Sequence, residues 1–131
     1  MKWKESYVLG IAPMDATHQE FVDQVTALAA VADEAAILLM ERFIAHTEAH
    51  FAQENQWMKA SGFPPIHCHV GEHQRVIASL KSVLSMARRG KPGLTREMAR
   101  DMESWFENHA ATMDAALAAH LRHVQQIPGI C

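Results

Sequence analysis

The sequence predicts an all-α protein, an antiparallel up-down-up-down four-helix bundle with an extended N-terminal arm. Three observations carry that prediction. Apolar residues recur at helical spacing through four long stretches, and only five prolines and six glycines are present to interrupt them. Ala, Leu, Met, Glu and Gln, all good helix formers, dominate the composition. The interruptions are too short to let successive helices run in any sense but opposite. At 131 residues and 49% hydrophobic, the chain is read as a single domain, 1–131, able to bury its own core.

Residues 1–12 form the arm: Trp3, Tyr7, Leu9 and Ile11 lack sustained helical spacing, and their apolar groups are expected to cover the bundle. Pro13 suits a first helical turn, where its missing N–H costs nothing, and Asp15 complements the helix dipole. The first helix is expected over 13–31, with His18, Val22, Val25 and Ala29 on its inner stripe. Asp33 is the expected cap of a second helix, 34–60, which carries Ile37, Phe43, His46, His50, Glu54, Trp57 and Met58 inward. Ser61-Gly62-Phe63-Pro64-Pro65 ends it. A third helix, 66–89, turns His69, His73, Val76 and Leu80 inward and stops at Gly90-Lys91-Pro92-Gly93. The fourth, 94–126, offers Met102, Trp105, His109, Met113, Ala116, Leu117 and His120, and ends near Pro128-Gly129.

Net charge is −3, and no basic stripe interleaved with aromatics is present, so nucleic acid is not an expected partner. No segment reaches the roughly 20 apolar residues of a membrane span and the start lacks a signal-peptide core, so a cytoplasmic protein is expected. Cys68 and Cys131 make no disulfide framework, and both are read as structural or incidental.

The chemistry lies in the histidines. His50 and Glu54, and again His69 and His73, are four apart, which places each pair on one helix face about a turn from each other. With His18, His109 and Asp114, five imidazoles and two carboxylates are directed into one interior. One inward histidine is ordinarily a hydrogen-bonded core residue. Two acids and five histidines buried together are another matter, because an unpaired buried carboxylate costs several kcal/mol and a metal removes that cost. If each imidazole binds once, both carboxylates bridge and a solvent oxygen bridges too, about eleven of the twelve positions of two six-coordinate ions are filled. One position stays open for a small ligand. Nitrogen-rich, carboxylate-bridged coordination suits iron better than magnesium or thiolate-seeking zinc.

His18, His50-x-x-x-Glu54, His69-x-x-x-His73 and His109-x-x-x-x-Asp114 together resemble the ligand pattern of the hemerythrins, specifically the single-domain bacterial ones. Trp3, Tyr7, Gly10-Ile11, Asp15, Phe51, Met58, Phe63-Pro64 and Trp105 agree, so the resemblance covers nearly the whole chain. It implies that His69, His73 and His109 complete one iron, that His18 and His50 bind the other, which keeps the vacancy, and that Glu54 and Asp114 bridge both. The implied function is reversible binding of dioxygen, with small anions as alternative ligands, in a dry pocket. Phe21, Val22, Phe51, Met113 and Leu117 are candidates for its lining. The physiological recipient of the oxygen is not read from the sequence.

Thr17 and Asn55 depart from the residues many relatives carry beside the ligands, and altered hydrogen bonding around the site is the expected consequence. His46, a turn before His50, is read as core or interface packing, with a hydrogen bond to the site, a proton gate or a substitute ligand as the sharper alternatives. His67, His120 and His123 lie outside the pattern. His109 and Asp114 are five apart, about 140° around an ideal helix and too wide for one site, so a π-bulge between them is predicted.

Other functions weighed are a diiron enzyme reducing peroxide or nitric oxide, an oxygen or redox sensor, and iron storage. Oxygenase-type bundles use four Glu and two His, whereas five His and two acids favour binding without turnover, so an enzyme is not expected. A sensor needs an output element, and none is evident in the sequence.

Overall fold

The computed structural model describes residues 1–125; the Pro128-Gly129 stop and Cys131 lie outside the described residues. A 3-10 turn, Glu5–Tyr7, sits in the arm, and the rest is helical: α1 Ala12–Ala29, α2 Asp33–Ser61, α3 Ile66–Arg88, α4 Leu94–His109, a π-helical turn Ala110–Asp114, and α5 Ala115–Gln125. The last three form one continuous fourth rod. Each rod packs against its neighbours in sequence and α1 also packs against α4, which closes a four-helix bundle. No strand is present among the described residues.

The boundaries follow local chemistry. Asp15 accepts backbone N–H bonds from Leu9 (2.8 Å) and Gly10 (3.1 Å), which ties the arm to the first turn of α1. Gly10 has φ +85°, a conformation a side chain would strain. Gly62 ends α2 in the left-handed region at φ +68° and returns its N–H to Met58, so the carbonyl is not orphaned. Asp33 does not cap α2: it is the first helical residue, Ala32 is at the cap position, and the Asp33 carboxylate receives Arg96 Nη1 at 2.7 Å instead.

Two apolar clusters fill the interior. The larger gathers Phe21, Val25, Phe43, Leu80 and Phe106, and the smaller Met14, Met58, Phe63, Leu117 and Leu121. Along every rod the seven polar candidates fall between them: His18 between Met14 and Phe21, Glu54 before Met58, His73 before Val76, and Asp114 before Leu117. Hydrophobic burial on both sides thus fixes a polar layer in the middle of the bundle.

Several inward assignments shift. Ala29, Ile37, Trp57, Trp105, Met113 and His120 are only half-buried, while His46 and Ala116 are exposed. On α2 the buried positions are 36, 40, 43, 44, 47, 50, 51, 54 and 58, a stripe that passes through Thr47 rather than His46. Past the π turn the buried positions are Asp114, Leu117, Ala118 and Leu121, offset from a count that assumes regular turns after His109.

Candidate metal centre

All seven candidates, His18, His50, Glu54, His69, His73, His109 and Asp114, are buried and converge in the polar layer. Ligand atoms of Glu54, His69, His73, His109 and Asp114 all lie within 4.8 Å of one another, as do those of His18, His50 and Glu54. The π turn is what admits Asp114. By widening the helix it cancels most of the angular excess of a five-residue step, and His109 Nε2 comes to lie 3.1 Å from Asp114 Oδ1.

Each carboxylate divides its oxygens between two sets of histidines. Glu54 Oε2 lies 2.7 Å from His50 Nε2 and 3.2 Å from His18 Nε2, while Oε1 lies 3.2 Å from His73 Nε2 and 3.6 Å from His69 Nε2. Asp114 Oδ2 lies 3.1 Å from His18 Nε2, and Oδ1 lies 3.0 Å from His69 Nε2. The layer therefore has a two-histidine half and a three-histidine half, joined by both acids.

The donors fit cations better than one another. Glu54 Oε1, His73 Nε2 and Asp114 Oδ1 are buried without a hydrogen-bond partner, although oppositely polar atoms stand about 3 Å away. Short separation without hydrogen-bond geometry is what results when lone pairs aim at a common point between them. His69 Nε2 and His109 Nε2 face each other at 3.2 Å, which also brings two lone pairs together unless one nitrogen is protonated. Nδ1 of His18 and of His69, the ring nitrogens away from the cluster, are likewise unpartnered among the described residues.

Electrostatics agree with that geometry. Burial opposes charge on His18, but the carboxylates of Asp114 and Glu54 overcome it and raise its pKa to about 9. Burial also opposes the charged form of both acids; contacts with His50, His18 and His73 hold Glu54 well below the usual carboxylate range. His109, His18 and His69 do the same for Asp114. His73 is pushed down by burial. The two carboxylates thus favour a positive charge within the layer, which a cation would supply.

The surroundings hold the rings in position. Phe51 stacks on His73 with centroids 3.9 Å apart and planes 6° from parallel, and Asn55 Oδ1 lies 2.9 Å from His73 Nδ1. Asn55 thus bonds directly to the ring of a candidate ligand. Trp105 stacks on His109 at 4.4 Å and 18°, and Phe106 meets His18 edge-on at 5.2 Å. Of the proposed lining, Phe21, Val22, Phe51 and Leu117 are buried, while Met113 is half-buried at a cavity of about 300 Å³ that also touches His69.

The remaining histidines stay away. His46 is exposed, lines a notch of about 10 Å³ with Thr17, Glu20, Phe21, Gln24, Thr47 and His50, and is not among the clustered ligand atoms, so it is neither a core residue nor a member of the cluster. His120 Nε2 meets the Ser61 carbonyl at 3.0 Å, and His67 and His123 are exposed. Cys68 is an exposed free thiol outside the cluster. Sequence reading assigned no role to Glu72, which receives the indole N–H of Trp105 at 2.8 Å. Its place beside His73 was the available signal: a helix neighbour points about 100° away, here toward α4.

Comparison with known proteins completes the picture. The Hemerythrin HHE cation binding domain matches residues 9–121. A bacteriohemerythrin of Ralstonia nicotianae is 38% identical over 121 residues, covering 92% of this chain and 88% of its own length. With the helical bundle and its buried His, Glu and Asp cluster, these matches lead to one conclusion: the chain belongs to the hemerythrin family.

Proposed function

We propose that the chain binds dioxygen reversibly at two iron ions. The observation that carries this reading is the division of Glu54 and Asp114 between a two-histidine and a three-histidine half. His69, His73 and His109 would hold one ion and His18 and His50 the other, with both acids shared. When bound, the pair would supply the electrons and the open position that dioxygen requires, and small anions would compete for the same position.

The chain's own contribution is enclosure and restraint. Phe21, Phe51, Phe106 and Leu117 exclude bulk water from the layer, so the centre is shielded from outside protons. Apart from the seven candidates, the buried polar side chains among the described residues are Thr47 and Thr95. Their hydroxyls are committed to the carbonyls of Phe43 (2.8 Å) and Pro92 (2.7 Å). The buried phenol of Tyr7 donates to Glu107 at 2.9 Å, so among the described residues no buried acid or base outside the cluster is free to deliver protons, which favours reversible binding over turnover.

Iron-loaded, reduced protein exposed to air develops ligand-to-metal absorption bands that disappear on deoxygenation and return on re-aeration. Irreversible bleaching with consumption of added peroxide would replace this reading with a redox enzyme.

A further inference from the structure

Histidine's second side-chain torsion is broad, so a ligand ring's plane is set by its neighbours rather than by rotamer preference. His73 has two such restraints, the Phe51 ring and Asn55. His109 has the Trp105 indole, one turn earlier on α4, stacked at 4.4 Å and 18°. A stacked ring restrains its neighbour only if it is itself fixed, and Trp105 is: its Nε1 donates to Glu72 Oε1 at 2.8 Å, across to α3. Glu72 in turn is gripped by Arg75, Nη2 to Oε1 at 2.5 Å and Nε to Oε2 at 3.0 Å.

We infer that Arg75, Glu72 and Trp105 form a clamp that sets the plane of the His109 ring, with Trp105 and Glu72 as positioning residues for the three-histidine half. A surface ion pair alone contributes little to stability, but here it orients an acceptor for a half-buried indole. The series ends at Nε2 of His109, which points at Asp114 Oδ1 and His69 Nε2. Residues that orient metal ligands in this way typically change metal affinity about 10- to 100-fold when removed. The functional half of the inference rests on the diiron reading; the geometric half does not.

Two measurements on Trp105→Ala, Glu72→Ala and Glu72→Gln test it. In the metal-free chain, NMR of the His109 ring protons should show the upfield shift of a stacked indole, lost in Trp105→Ala and reduced in Glu72→Ala. In the iron-loaded chain, release to a chelator should be about tenfold faster for both alanine variants. Glu72→Gln keeps one oxygen acceptor for the indole but loses the two-oxygen grip of Arg75, so its release should be slower than that of Glu72→Ala. Glu72→Ala leaves the indole itself in place, so a misfolded Trp105→Ala would not decide the matter. Wild-type release rates in both alanine variants, or equal rates for Glu72→Ala and Glu72→Gln, would overturn the clamp. If the wild-type chain takes up no iron, the diiron reading fails, and the ring-proton shift still decides the geometry.

Discussion

His50 is the most accessible of the seven candidates, at 7% exposure, and borders the small notch under His46. It belongs to the two-histidine half, where a lost nitrogen has no substitute. His50→Ala should abolish the reversible oxygen band while far-UV circular dichroism stays helical, because the flanking apolar clusters are untouched. A retained band would show that His50 is not a ligand. Tyr7, the chain's single tyrosine, gives a pH-dependent prediction. Burial, and then its bond to the Glu107 carboxylate at 2.9 Å, raise its pKa to about 12. The folded state therefore favours the neutral phenol. Its contribution to stability is complete below the ordinary value near 10 and is lost as pH rises from there to about 12. Phenolate absorbance should titrate near 12 in the folded chain, and Tyr7→Phe should lessen the alkaline loss of stability.

Among the elements, the π turn explains both a success and a failure of sequence reading. The five-residue step from His109 to Asp114 required a local widening, and the turn Ala110–Asp114 provides it. A widened turn also shifts every later position, which is why Ala118 and Leu121 are buried beside the expected Leu117, while Ala116 and His120, nominated by a regular count, are not. His46 was misplaced for a related reason. The buried stripe takes the three-residue step back from His50 to Thr47, and the adjacent His46 points about 100° away from Thr47, to solvent. The seven candidate positions were legible because their spacings are local. The clamp was not, since nothing in the sequence aligns Glu72 on α3 with Trp105 on α4. The π turn also sacrifices regular hydrogen bonding, and the Thr112 hydroxyl bonds to the Asn108 carbonyl at 2.7 Å in partial compensation. Amide exchange in the metal-free chain should accordingly be fastest, within the fourth rod's interior, at 110–115, and metal should slow it by pinning Asp114. Uniform exchange along the rod, unaffected by metal, would contradict this.

For the whole molecule, one polar layer is held between two apolar clusters, and every rod contributes to it. Metal that binds only the folded arrangement stabilises the entire bundle, so chelation should lower the melting temperature. Imidazole and carboxylate bind metal only when deprotonated, so falling pH should release the ions together with that added stability. Melting curves of loaded and stripped protein should therefore converge in acid; a constant gap would argue against these ligands. The most direct test of the central claim is metal analysis combined with an anaerobic-to-aerobic optical titration. The account predicts two irons per chain, with bands that appear with air and vanish on its removal. One metal per chain, zinc in place of iron, or no reversible band would contradict it.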